Sequence, residues 1–486
     1  MKRARTSFLF RTAALAALLV GACATPRDLP PAGVPRGAET IASTQSLSTT
    51  LPAAWPDRDL WRMGGDAQLA ALIAEGLQSS PDMVAALARL RAAEGMAQVA
   101  GAPLLPGAGL QGAATLDKQS YNNGFPKAFV PQGWNDRGRL AAALGWDIDL
   151  WGRNRAGLAA AVSERRAAEH EISQARLLLI SAIALAYADL ERLFAERDVR
   201  QATVTMRETG ARLVAQRLRA GLDMRGSLRL AESQSATARA DLAATEEALL
   251  LRRHQIAALI GAGPDRGLAI ARPQLPPPVL REVPADASTA LVAHRPDIAM
   301  ARERVEAEAS RVKAARADFY PAIRLDALAG FQSLGLDLLM KRDSLAGNVG
   351  PAISLPLFQG GALQGRYRVA RSRFDAAVAD YDRTVIAAYQ QVADALASRR
   401  AAAERLAEAR AALTAAEDAH ALARKRYAAG LSTYLDVLAV EDRLLQARLG
   451  ASSLEAVNRS AAVALVRALG GGFSIDSAPD AGNPQP

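Results

Sequence analysis

The chain has 486 residues, half of them hydrophobic but only 5% aromatic, and a net charge of +9. That length suffices for about three domains, and an alanine-rich apolar half favours long helices packed through small side chains over a broad aromatic core. The positive charge does not mark a nucleic-acid surface: Arg alternates with Asp and Glu along segments such as Glu164-Arg-Arg-Ala-Ala-Glu169, the pattern of a solvated helix face, and no stretch interleaves basic with aromatic residues.

The N-terminus reads as an export signal, residues 1–22. Lys2, Arg3, Arg5 and Arg11 are basic, and the apolar run from Ala13 to Val20 is too short to span a bilayer. Val20-Gly21-Ala22 leads into Cys23, the one cysteine of the chain. Small residues before a lone Cys at this place resemble a bacterial lipobox. There the thiol takes a diacylglycerol and the new amino terminus is acylated, giving an S-diacylglycerol, N-palmitoyl cysteine. Cleavage after Ala24 is the competing reading, because Ala22-Cys23-Ala24 also fits a small-x-small site. An unpaired Cys in an exported chain has no disulfide partner, which favours lipidation. Residues 23–60 contain Pro26, Pro30, Pro31, Pro35, Pro52 and Pro56 and are expected to form an extended tether.

Order is expected from near Trp61. A helix over 66–78 ends at Ser79-Ser80-Pro81. Asp82 can cap the next, 82–101, which Pro103 and Pro106 stop. Two runs of alternating apolar and small or polar residues follow, about 107–118 and 137–148. Each has about the length a tilted strand needs to cross a bilayer, although a soluble hairpin with one wet face has the same period. The polar link 118–135 between them is expected to be a surface loop. Residues 153–220 contain no proline, and Ile172, Ala175, Leu179, Ala182, Ala186, Leu190 and Leu193 step by three and four, a coiled-coil-like seam. At 1.5 Å per residue this is roughly 100 Å of helix. A return helix to about 260 closes a helical hairpin, 153–260, at Gly221.

The unit then recurs. Gly430 − Gly221, Glu441 − Glu232 and Gly470 − Gly261 all equal 209, and Pro296 − Pro81 and Pro321 − Pro106 equal 215. Shared offsets mark an internal repeat. Repeat one covers 61–263. A proline-rich connector, 264–285, with Pro276-Pro277-Pro278, is expected to be stiff and non-helical. Repeat two covers 286–472, with strands near 321–331 and 347–356, a loop at 332–346 and a helical hairpin over 362–469 that turns at Gly430. Residues 473–486 read as a disordered tail.

Enzymatic chemistry has no foothold in the pattern. His170, His254, His294 and His420 are not spaced with one another or with Cys for a metal, and three of them, His170, His254 and His420, are expected to be solvated among charges. Gly360-Gly361 lacks the rest of any phosphate-loop fingerprint, and no Ser sits in a nucleophile elbow. The chain reads as a non-enzyme without a cofactor beyond the lipid on Cys23.

Several stretches together resemble the outer membrane efflux protein family, the TolC-like channels, and within it lipoproteins of the OprM/NodT kind. They are Trp146-Asp-Ile-Asp-Leu-Trp-Gly152-Arg153, Leu355-Pro-Leu-Phe-Gln-Gly360-Gly361, His294-Arg-Pro-Asp297, Tyr320-Pro321 and Arg426-Tyr-Ala-Ala-Gly430-Leu-Ser-Thr-Tyr434-Leu-Asp436-Val-Leu438. The resemblance covers about 60–472. It implies a helical plus membrane β-barrel fold, in which a homotrimer forms a 12-stranded barrel and a 12-helix periplasmic tunnel. It also implies a lipid-anchored, barrel-spanning location in the bacterial outer membrane, where Ala24 after Cys23 permits sorting. The implied function is the exit duct of a tripartite efflux pump for small toxic compounds. The implied partners are a periplasmic adaptor, an inner-membrane pump of the RND type and outer-membrane lipid, with no nucleic acid.

On that resemblance Gly221 and Gly430 mark the periplasmic docking tip. Asp436 matches a pore-facing Asp of TolC-like channels, so Asp436, Leu435 and Tyr434 are candidate gate residues, with Arg426, Arg217 and Tyr434 as neighbours that could hold a carboxylate ring closed. A second Asp one turn on, present in many relatives, is Ala439 here. Two other readings stand beside this one: an exit channel for type I protein secretion on the same fold, and a periplasmic coiled-coil lipoprotein acting as a structural tether.

Overall fold

Proline marks helix starts and is absent from the longest helices' interiors, which leaves two helices free to run for 67 residues each. The computed structural model describes residues 29–48, 53–57, 65–122, 124–276 and 283–475. The signal peptide, Cys23, Trp61, Pro277, Pro278 and the tail beyond 475 lie outside them. In repeat one the elements are α1 (Ala67–Ser79), α2 (Pro81–Gly101), β1 (Gly107–Asp117), β2 (Asn135–Ile148), α3 (Arg153–Arg219) and α4 (Arg225–Leu259). Short helices α5 (Pro264–Leu268) and α6 (Ala287–Ala290) follow. Repeat two has α7 (Pro296–Ala317), β3 (Ala322–Leu334), β4 (Leu345–Ser354), α8 (Ala362–Ala428) and α9 (Tyr434–Ala468). Among the described residues no helix is long and apolar enough to cross a membrane.

One compact unit comprises Leu90–Ala168 and Ala301–Tyr381 with the chain up to Pro35. It holds an antiparallel sheet of order β1-β2-β3-β4, so the central pairing, β2 with β3, joins the two repeats. Strand side chains alternate, and register therefore decides which residues share a face. Leu110, Ala142, Ala329 and Gly347 align across the sheet, as do Leu144, Ala327 and Val349, then Trp146, Leu325 and Pro351. That face is apolar from Ile148, Ile323 and Ile353 to Leu140, Phe331 and Leu345, and turns polar toward the loop end with Asp136 and Ser333. The opposite face carries Gln111, Arg139, Asp147, Arg324, Asp326 and Asn348, with glycine, alanine and Leu328 between them. The outer edges of β1 and β4 have no partner strand among the described residues. From Pro106 to Arg153 the chain takes 47 steps, and from Pro321 to Ala362 it takes 41. The offset change from 215 to 209 thus falls in the strand hairpins, mostly in the loop 118–134 against the shorter 335–344.

The second unit comprises Arg36–Arg89, Glu169–Met300 and the chain from Asp382 onward. Its core sets α1 against α3 and α4, with Leu72, Ile183, Tyr187, Leu190 and Ile256 fully buried. Six of the seven expected seam residues pack into this core, Ala182 being the exception, and Ile180, Ile183, Tyr187 and Phe194 widen it. Asp66 caps α1 by accepting from Gln68 N and Leu69 N, and also accepts from Tyr187 Oη at 2.8 Å. Asp82 lies in the first turn of α2, behind Pro81, instead of capping it. Arg295 of the His294-to-Asp297 stretch is buried, donating to Ala468 O at the end of α9 and pairing with Asp297.

Three further expectations need correction. Phe473, expected as the first residue of a disordered tail, is buried. The connector is not uniformly non-helical, because Pro264 starts α5, where its missing N–H leaves no hydrogen bond unmade. Ile270 and Val283 of the same segment are buried, so it is packed into the fold. The tether is not free over its described part either. Gly33 N donates to Asp375 at 3.0 Å, Arg36 N to Asp382 at 2.9 Å and Arg400 to Ser48 O at 2.8 Å, and Leu47 is buried. Backbone groups that water would otherwise satisfy are met by side chains of α8.

Candidate functional site

Both long helices end in the same local geometry. Gly221 N donates to Leu218 O and Leu222 N to Arg217 O, while Gly430 N donates to Tyr427 O and Leu431 N to Arg426 O. These paired bonds form a Schellman motif, which needs a left-handed residue after the helix; φ is +73° at Gly221 and +76° at Gly430. Around the turns Leu222, Met224, Leu431 and Leu435 are exposed. Two adjacent hairpin turns therefore present four large apolar side chains to solvent, which a polar solvated turn would not do.

The turns are tied to each other by residues far apart in sequence. Tyr427 Oη donates to Asp223 Oδ2 at 3.2 Å, and the Arg217 guanidinium lies 4.8 Å from the Tyr427 ring centre and 3.9 Å from Asp223. Burial alone would push Asp223 up, but hydrogen bonds from Met224 N, Ser227 and Tyr427 and the charge of Arg217 hold it below the usual carboxylate range. Burial and the neighbouring Asp223 push the Tyr427 hydroxyl up to about 12. Arg217 is therefore committed to Tyr427 and Asp223.

Asp436 forms a capping box at the start of α9. Its Oδ2 accepts from Thr433 N and Oγ1, both at 2.8 Å, and Asp436 N donates back to Thr433 Oγ1. These bonds, with a smaller contribution from the Arg426 charge, hold the exposed carboxyl below its ordinary value. Leu435 beside it is exposed. Tyr434 is not: its ring is buried with Val214, Tyr427 and Val437, and its hydroxyl lies over Gly210, where a Cβ would come within 3.3 Å. Of the three candidate gate residues, Asp436 and Leu435 are at the surface and Tyr434 packs the hairpins together.

About two turns into α9 from Tyr434 lies a charged cluster that sequence reasoning missed. Arg207 of α3 donates to Glu441 Oε2 of α9 at 2.8 Å, and its other nitrogen binds Asp442. The side chains of Arg207 and Glu441 are 2% and 6% exposed. His420 Nε2 of α8 lies 3.6 Å from Glu441 Oε1. His420 is thus half-buried against a carboxylate and not solvated, and burial together with Arg424, Arg448 and Arg207 pushes its pKa down. Burial pushes Glu441 up, with Arg207 opposing. Glu441 is a repeat anchor in the sequence, but nothing local signals that its partner lies 234 residues away.

The family model for outer membrane efflux proteins matches residues 72–262 and 288–471. The chain belongs to the outer membrane efflux protein family. It is 31% identical to the fusaric acid resistance protein FusA of Burkholderia cepacia over 362 residues, 73% of this chain and 68% of that one. It is 27% identical to the pyoverdine export outer membrane protein OpmQ of Pseudomonas aeruginosa over 466 residues, covering 95% and 96%. Among solved structures, the outer membrane protein VceC of Vibrio cholerae superposes with a TM-score of 0.81 at 41% identity, covering 86% of this chain and all of VceC. This efflux protein is thus an outer membrane channel of TolC-like, two-repeat fold that extends into the periplasm. Its amphipathic sheet is the membrane segment.

Proposed function

We propose that this channel is the exit duct of a tripartite efflux system. It closes as a homotrimer, is lipid-anchored through Cys23, and docks by the Gly221 and Gly430 tip to a periplasmic adaptor and an inner-membrane pump of the RND type, carrying small toxic compounds. The observation that carries the assembly is the sheet. One face is mainly apolar, the other mainly polar, and both outer edges are open among the described residues. An open edge in lipid leaves backbone groups unsatisfied at several kcal/mol each, and ordinary bacterial barrels need about eight strands or more. Copies of the chain supply the missing strands, and three copies of four give twelve. The exposed apolar side chains at both turns support a partner at the tip, and Asp436 with Leu435 are the groups there that could line a closed pore.

Native mass spectrometry from mild detergent tests the assembly: three chains are expected, and a monomer would overturn it. Deletion of the gene should raise sensitivity to toxic compounds. Loss of secreted proteins with unchanged sensitivity would instead favour type I protein secretion.

A further inference from the structure

We propose that a groove at the membrane-facing end of α3 and α7 binds the phosphate headgroup of an anionic phospholipid. The groove has a volume of about 600 Å³, and its polar and aromatic lining comprises Trp151, Arg155, Ser310, Lys313, Arg316 and Tyr320, the remainder being small apolar residues. It contains three cations and no carboxylate. Arg155 is held by Asp149, its Nε 3.3 Å from Oδ2 and its Nη2 donating to the Asp149 carbonyl at 2.9 Å. Lys313 and Arg316, three residues apart on α7, are exposed and form no ion pair with any described residue. Spacing of three places both on one side of a helix, where two unpaired donors can converge on one phosphate.

The aromatic pair gives the site a rigid wall. Trp151 and Tyr320 stack with centroids 4.7 Å apart, and Trp151 Nε1 donates to Pro321 O at 2.8 Å. Trp151 follows the last residue of β2, Ile148, by three positions, and Tyr320 precedes the first residue of β3, Ala322, by two. The groove therefore begins where the membrane strands end, at headgroup depth. There an indole and a phenol suit an interface, and basic pockets suit anionic headgroups. The half-exposed Trp151 and the exposed Leu150 continue the apolar surface toward the sheet, where acyl chains would lie.

The test is native mass spectrometry of the full-length channel in mild detergent, titrated with phosphatidylglycerol, phosphatidylethanolamine or inorganic phosphate. Wild type should retain phosphatidylglycerol in preference to phosphatidylethanolamine, and 10-fold excess inorganic phosphate should not displace it. At about 1 kcal/mol per basic residue near an anionic headgroup, Lys313→Gln with Arg316→Gln should weaken phosphatidylglycerol binding roughly 30-fold. Lys313→Arg with Arg316→Lys should bind within about threefold of wild type. Lys341→Gln with Arg342→Gln, the same charge change in the loop between β3 and β4, should leave binding intact. Undiminished lipid in the first double variant, an equal loss in the loop variant, or displacement by inorganic phosphate would overturn the proposal.

Discussion

Arg207→Met is expected to loosen the packing of the two helical hairpins near their turns without unfolding the rest. Arg207 and Glu441 meet at 2.8 Å with side chains 2% and 6% exposed, so removing the guanidinium strands a buried carboxylate. Breaking such a pair typically costs about 3–5 kcal/mol. At about 1.4 kcal/mol per tenfold, local opening should rise by roughly two to nearly four powers of ten. Glu441→Leu should cost less, because Arg207 keeps Asp442, which is 55% exposed and already solvated. The double variant Arg207→Met with Glu441→Leu should recover most of the loss, since apolar replacement of a whole buried pair is often neutral.

The pH dependence has a definite sign. Burial already raises the folded pKa of Glu441, and removing Arg207 takes away the main opposing charge. A carboxyl with a raised folded pKa favours the native state below that value and penalises it above. The deficit of Arg207→Met should therefore shrink on acidification through the folded pKa of Glu441. Hydrogen exchange by mass spectrometry on peptides spanning 200–214 and 434–446, corrected for intrinsic rates, measures all of this. Unchanged exchange in Arg207→Met, or a double variant as exposed as the sum of the singles, would refute the reasoning.

Gly430→Val should abolish efflux and adaptor crosslinking while leaving assembly near normal. A Cβ there meets nothing within 4 Å, so the cost is backbone strain at φ +76°, of order 1–2 kcal/mol, confined to the tip; loss of the assembly would make the glycine purely structural. Asp436→Ala should alter cation selectivity and block by multivalent cations in planar bilayers, and unchanged values would leave Asp436 only its cap. Because that carboxyl titrates below its ordinary 3.8, its capping contribution is full above 3.8 and is lost as pH falls through the folded value, which amide exchange at the start of α9 would register. Gly470→Ala should destabilise the second unit by several kcal/mol, since φ is +86° and a Cβ would overlap the His294 carbonyl; Gly365→Ala, inside α8 with open space around it, should be neutral or stabilising by up to about 1 kcal/mol in protease resistance. Intact mass should show a mature chain that begins at Cys23 and carries lipid. A chain beginning at Thr25 without lipid would overturn that assignment, and Cys23→Ser should slow maturation more than it loosens final anchoring.

Much of the fold was legible in local pattern. Proline at 81, 264 and 296 and glycine at 221, 261, 430 and 470 punctuate the helices, and the offsets shared by these punctuation marks are enough to expose the two repeats. The alternation in the four strand runs was equally plain, because period two needs only a few neighbouring residues. The capping role of Asp436 was also within reach of Thr433 three residues before it.

Pairing over distance was not legible. Nothing near Arg139 indicates that it faces Gln332, so the central β2·β3 seam, and with it the continuity of the apolar face across four strands, awaited the register. Arg217 reads as a free cation near the gate, yet Tyr427 and Asp223 claim it. Tyr434 reads as a pore residue, but Val214 of the other hairpin covers it. Arg207 and Glu441 look like two more solvated helix charges among many. Periodicity and turn chemistry are properties of a few consecutive residues, and the sequence by itself determined those. Which charge is buried, and beside which partner, depends on how helices hundreds of residues apart are packed, and only the tertiary structure decided that.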